Sequence, residues 1–184
     1  DRTTFSSAET TAMIEIWQHV VEAFSPFNVD VTTIDPGPAH DRETAHVLVA
    51  DGPGGGFGVI GGFYNSGKNQ GVAYSYPGIS PASVAYVVNH EAGHVFGLQH
   101  QSRFDANGVK LEEYRVGSNG IAPLMGNGWT GQRRLWATGP SSPGAHVIQD
   151  DLAFLAGPLN AFGYAPDDHG NTRELATDLY NAQD

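Results

Sequence analysis

At 184 residues the chain has room for one domain with a sizeable core and a short tail, but not for two full domains. Its formal charge of -11, from 20 acidic against 9 basic residues, sets nucleic acid and anionic lipid aside as partners and favours cations. The absence of cysteine excludes disulfides, thiolate metal sites and cysteine nucleophiles, and no apolar run approaches the roughly 20 residues that cross a bilayer.

The chain starts at Asp1 with no initiator Met and no charged-then-apolar leader, which reads as a processed or trimmed form. Residues 6–25 are predicted as an amphipathic helix, because Met13, Ile16, Trp17, Val20, Val21 and Phe24 recur at three- and four-residue steps. Ser6 and Glu9 have capping-box spacing at its start. Residues 29–34 alternate apolar and polar side chains and are predicted as a strand, with a second strand at 46–50. The glycine-rich run 51–62 rules out a regular helix, and residues 59–64 and 71–76 are further strand candidates. Ser80 offers an N-cap, Pro81 suits the first helical position, and a buried helix is expected to run to Phe96 and stop at Gly97. Residues 100–143 show little periodicity and read as a long irregular segment of the kind that carries function. Ile148, Leu152 and Leu155 are spaced for one face of a closing helix over 147–156. The chain past 165 is polar, so the expected division is a domain over 1–165 and a tail or linker remnant over 166–184.

Chemistry concentrates in HEAGHVFGLQH, residues 90–100. On a helix His90 and His94 are one turn apart and share a face, so two imidazoles can reach one ion. Glu91 lies about 100° around the helix from His90, where its carboxylate can reach a water without becoming a ligand. A continuing helix would carry His100 about 9 Å beyond His94. Gly97 removes that obstacle, since a residue without Cβ can adopt a left-handed conformation and turn the chain back. Three neutral nitrogens with one open position suit a catalytic zinc, whereas structural sites close all four positions. The chance of these fixed positions arising from composition is on the order of 10⁻⁴.

This segment resembles the extended HExxHxxGxxH motif of the metzincins, a clan that includes matrixins, reprolysins, astacins and serralysins. The resemblance implies a methionine in a tight turn beneath the zinc, and Met125 within Pro123-Leu124-Met125-Gly126 is the Met downstream of the motif. Astacins and serralysins carry a tyrosine ligand two residues after that methionine, where this chain has Asn127, so the resemblance favours the three-histidine site of matrixins and reprolysins. Gln149-Asp150-Asp151 resembles the double-aspartate segment of the matrixin closing helix, where a carboxylate anchors the turn region or the mature N-terminus. Residues 167–172, with Ala176 and Thr177, resemble the opening of a bacterial pre-peptidase C-terminal domain, which implies a piece of a longer secreted precursor. Asp51 to Gly56 and Asp105 to Gly108 could supply oxygen ligands to Ca2+, although neither has the full EF-hand pattern and ordinary turns explain both.

The expected fold class is α+β: a metzincin catalytic domain with a twisted mixed sheet, a packed zinc helix, an irregular lower subdomain and a closing C-terminal helix. The expected activity is that of a secreted, monomeric endopeptidase with one catalytic Zn2+ held by His90, His94 and His100. Glu91 would be the base that activates a zinc-bound water, with Gly97 and Met125 as structural supports. A protein or peptide substrate would lie along the edge strand before the zinc helix, expected at Gly71, Val72, Ala73 and Tyr74, with Asn127 and Trp129 on the specificity side. Tyr114 and Asn127 are candidates for oxyanion stabilisation. Two alternatives use the same donor set: a zinc amidase acting on non-peptide or peptidoglycan amides, and a non-catalytic zinc-bound adhesion module, against which the intact Glu91 argues.

Overall fold

Ser6 opens the first helix, α1 (Ser7–Phe24), with both halves of a capping box: its hydroxyl accepts from Glu9 N at 3.3 Å, and Glu9 Oε2 accepts from Ser6 N at 2.7 Å. The computed structural model describes residues 4–35, 37, 42–50, 52–65, 72–75, 80–130 and 133–166. Of the expected stripe, Val20 and Phe24 are buried, and Phe24 meets Phe96 and Trp136 edge-on at 5.8 and 5.4 Å. The Trp136 indole also donates to Ala23 O, which ties the end of α1 to the lower half of the molecule.

Residues 29–34 form no strand, contrary to expectation. Side-chain bonds engage their backbone instead: the Trp17 indole of α1 donates to Val31 O at 2.7 Å, and Thr32 Oγ1 accepts locally from Ile34 N. The sheet among the described residues is β1 (His46–Val49), β2 (Gly56–Gly58) and β3 (Val72–Ser75), in the order β1-β3-β2. β3 runs parallel to β1 and antiparallel to β2. Two expectations are corrected by this arrangement. The strand of the glycine-rich region lies inside the glycines and not at 59–64, where the chain turns. The strand before the buried helix is central and not at the edge, so Ala73 and Tyr74 have ladder partners on both sides and Val72 has one in β1, while Gly71 lies outside the described residues.

Close approach explains the glycines. A Cβ on Gly56 would lie 2.5 Å from Glu91 Cγ, and one on Gly58 would lie 2.5 Å from Glu91 O. β2 therefore presses directly on the next helix, α2 (Pro81–Val95), at the residue singled out as a base. Ser80 caps α2 by accepting from Ser83 N, with Pro81 at the start of the helix. Every residue from Ser83 to Val95 is buried, as expected of a helix running through a core and not along a surface.

Below α2 the chain forms short pairs of strands. β4 (Arg103–Phe104) and β5 (Lys110–Glu112) make a hairpin, β6 (Ile121–Pro123) runs parallel to β7 (Arg133–Leu135), and β8 (Thr138–Ser141) is antiparallel to β9 (Gly144–Asp150). The closing helix, α3 (Asp151–Leu155), is shorter than the 147–156 read from spacing. Ile148 and Gln149 pair with Pro140 and Gly139 in the β8–β9 ladder, and Asp150 then caps α3 by accepting from Ala153 N. No helix among the described residues is long and apolar enough to cross a membrane. At the end of the described region Ala165 N donates to Pro26 O, and residues 167–184, with the stretch expected to open a further domain, lie outside it.

Asp151 is fully buried and ties the segments below α2 to one another. Its Oδ1 accepts from Gln101 Nε2 and Gln149 Nε2 at 3.0 and 2.8 Å, and its Oδ2 accepts from Ala137 N at 2.9 Å. Burial nonetheless raises its pKa above the usual aspartate value, with these three donors pulling the other way. Gln149 in turn bonds the backbone of Gln99 through both side-chain atoms. Asp151→Ala leaves three buried donors without this acceptor and should lower the unfolding free energy by about 3 kcal/mol in a denaturant titration. A loss below about 1 kcal/mol would show that the network does not hold these segments together.

Candidate metal centre

α2 ends in a Schellman motif, and this turn is what brings the third histidine back. Gly97 has φ +103°, its N–H donates to His94 O at 2.8 Å, and Leu98 N donates to Gly93 O at 2.9 Å. The space is closed as well: a Cβ on Gly97 would strike the Tyr64 hydroxyl and come within 2.9 Å of the Phe154 ring. One donor atom from each of His90, His94 and His100 lies within 4.8 Å of the others, and among the described residues this is the group of three that could hold a metal ion.

Each ring is fixed through its Nδ1. His90 Nδ1 donates to Leu124 O at 2.7 Å, His94 Nδ1 to Leu98 O at 2.8 Å, and His100 Nδ1 to a Glu113 carboxylate oxygen at 2.7 Å. These acceptors carry no hydrogen, so the proton of each neutral imidazole sits on Nδ1 and Nε2 presents a lone pair. His94 Nε2 and His100 Nε2 stand 3.0 Å apart, which places two lone pairs face to face. Two nitrogens on a tetrahedral zinc are roughly 3.3 Å apart, so the donor set fits zinc in chemistry and the His94–His100 pair fits it in spacing.

Burial supports the same protonation pattern. It pushes the pKa of His90 down to about 3, with His94 adding repulsion, and that of His94 down to about 4. Glu91 is also buried, and desolvation lifts its pKa to about 7 although the Gly58 N–H acts to lower it. Glu91 opens onto a cleft of about 300 Å3 together with His90, Tyr114, Asn127 and Trp129.

Met125 is fully buried in a turn closed by Gly126 N donating to Pro123 O at 3.0 Å. A Cβ on Gly93, between the two helical histidines, would lie 2.5 Å from its sulfur. The turn also supplies Leu124 O to His90 and Met125 O to Gln101 N.

Asn127 and Trp129 thus share the cleft with Glu91, whereas Gly54, Gly55 and Gly56 occupy the rim expected for Ala73 and Tyr74. Tyr114 stands with its ring 4.3 Å from that of His100. Asp105 Oδ1 accepts from Asn107 N and Val109 N, so this carboxylate closes the β4–β5 turn, and Asp51 lies outside the described residues. Sequence reasoning missed Tyr86, whose hydroxyl donates to Gly126 O and whose ring meets Trp129 edge-on. Its position one turn before His90 was an available signal. It also missed Glu113, for which no spacing rule exists.

Residues 21–101 match the sequence model of a family described as Metallo-peptidase family M12B Reprolysin-like. No curated protein and no solved structure matches the chain. The matched region contains α2, Gly97 and all three histidines. Family match and donor set together support a zinc-dependent protease, and the mixed α+β architecture agrees with a metzincin-like catalytic domain.

Gly97→Val should abolish zinc binding although Gly97 offers no ligand atom, because a β-branched residue resists positive φ and this one would also strike Tyr64. Zinc content of the purified variant is the measurement, and full occupancy would contradict the role assigned to the turn.

Proposed function

We propose that the chain is a zinc-dependent endopeptidase that hydrolyses peptide bonds in extended protein or peptide substrates, and that it acts as a secreted monomer. The observation that carries this reading is the position of Glu91: outside the donor set, it shares a cleft with one of the three histidines. A metal-bound adhesion module has no use for a buried carboxylate there.

Zinc, when bound, supplies a Lewis acid for the scissile carbonyl and for the attacking water. The chain's own residues do the rest. His90, His94 and His100 are held as neutral donors by Leu124 O, Leu98 O and Glu113. Glu91 takes a proton from the attacking water and passes it to the leaving amine, and the Gly58 N–H keeps its carboxylate in place. Met125 forms the floor beneath the helical histidines, in the place of a metzincin Met-turn.

Substrate binding falls to β2, in place of the strand first expected. β2 has one ladder partner, β3, among the described residues, and Gly54 to Gly56 border the cleft. The other side of this strand can pair with an extended peptide. Asn127 and Trp129 then form the far wall.

Incubation with a diverse peptide mixture, with and without chelator, tests the activity by mass spectrometry of the products. Chelator-sensitive internal cleavage is the expected result. Turnover of peptidoglycan or other non-peptide amides alone would move the assignment to the amidase alternative. Glu91→Gln keeps shape and removes the base, so cleavage should fall by about 10² to 10⁴-fold or more while zinc content stays unchanged. Activity within tenfold of wild type would remove Glu91 from proton transfer, and loss of zinc would make it a ligand or a structural residue.

A further inference from the structure

The three imidazoles are not held alike. His90 and His94 sit on a buried helix and donate to backbone carbonyls, whereas His100 follows the helix end, is less buried, and donates to the side chain of Glu113. A carboxylate is both a stronger acceptor than a carbonyl and a charge, so it orients the ring and makes Nε2 a better donor.

The surrounding hairpin holds this carboxylate in place. Glu113 follows β5 directly, and the backbone at it and just after it is pinned: Ser102 Oγ donates to Glu113 O at 2.6 Å, and Arg115 N donates to Gln101 O at 2.6 Å. Lys110 Nζ donates to the second carboxylate oxygen at 2.6 Å, while the first receives His100 Nδ1. Both oxygens are thereby engaged, which restrains the group's rotation. Asp105 Oδ1 closes the hairpin turn that brings Lys110 back.

We propose that Glu113 is a positioning residue for zinc, acting through His100, and that Lys110 holds Glu113 in the orientation this requires. The inference rests on the three-histidine zinc reading above. A half-exposed Lys–Glu pair adds little to stability, so removing it should be read in metal affinity and not in unfolding.

The test is zinc affinity measured by competition with a chromophoric chelator, with the melting temperature of the zinc-free protein recorded beside it. Glu113→Ala should weaken zinc binding about 10- to 100-fold and leave zinc-free melting within about 2 °C of wild type. Glu113→Gln, whose amide oxygen still accepts from Nδ1, should recover most of the affinity, and Lys110→Met should give a smaller loss than Glu113→Ala. With cobalt(II) in place of zinc, the visible absorption of Glu113→Ala should shift while that of Glu113→Gln stays near wild type. Wild-type affinity in Glu113→Ala would overturn the proposal and leave the contact a plain surface ion pair. Equal losses in the Ala and Gln variants, with a matching fall in zinc-free melting, would overturn it in favour of a folding role. Wild-type protein that binds no zinc would overturn the metal site itself, which is a separate result.

Discussion

Two nitrogen lone pairs facing each other at 3.0 Å repel, and His94 and His100 are held in that arrangement by bonds made on the opposite sides of their rings. Burial opposes relieving the repulsion by a proton on His94, whose pKa it pushes down to about 4. A metal cation relieves it without a proton. The free energy that folding commits to this convergence is returned when the ion binds, which couples metal affinity to the integrity of the site.

Much of the lower half can be understood as support for that convergence. The Schellman turn at Gly97 both stops α2 and presents Leu98 O to His94. The turn containing Met125 presents Leu124 O to His90 and fills the space against Gly93. Gln99 and Gln101, the neighbours of His100, are clamped to β9 and α3 by Gln149 and Asp151. A segment without regular structure holds a ligand in place through such side-chain bonds together with isolated backbone ones, here Gln101 N to Met125 O and Ser142 N to His100 O.

The sequence showed most clearly where a local rule acts. Ser6 and Glu9 cap α1, Ser80 and Pro81 start α2, and Gly97 ends it, since each effect depends on neighbours a few residues away. The histidine spacing was legible for the same reason. Misreadings came where tertiary pairing decides. Ile148 shares a helical spacing with Leu152 and Leu155, but the β8 ladder takes its segment. Strand order cannot be read from single strands, so β3 was placed at the edge when β2 lies outside it. The glycines of β2 read as turn formers because nothing in their own sequence signals that Glu91 packs against them. Glu113 was invisible because its hairpin geometry joins it to His100. Asp151 was noticed as part of an acidic pair, yet its burial among Gln101, Gln149 and Ala137 only the fold reveals.

The proposed function requires one open-sided zinc with three imidazole ligands. Zinc K-edge X-ray absorption on protein purified without chelator measures this directly, since imidazole rings give distinctive outer-shell scattering. The expected result is one zinc per chain with three histidine nitrogens at about 2.0–2.1 Å and a single further light atom from solvent. A first shell with fewer than three imidazoles, or one completed by a protein carboxylate, would contradict it.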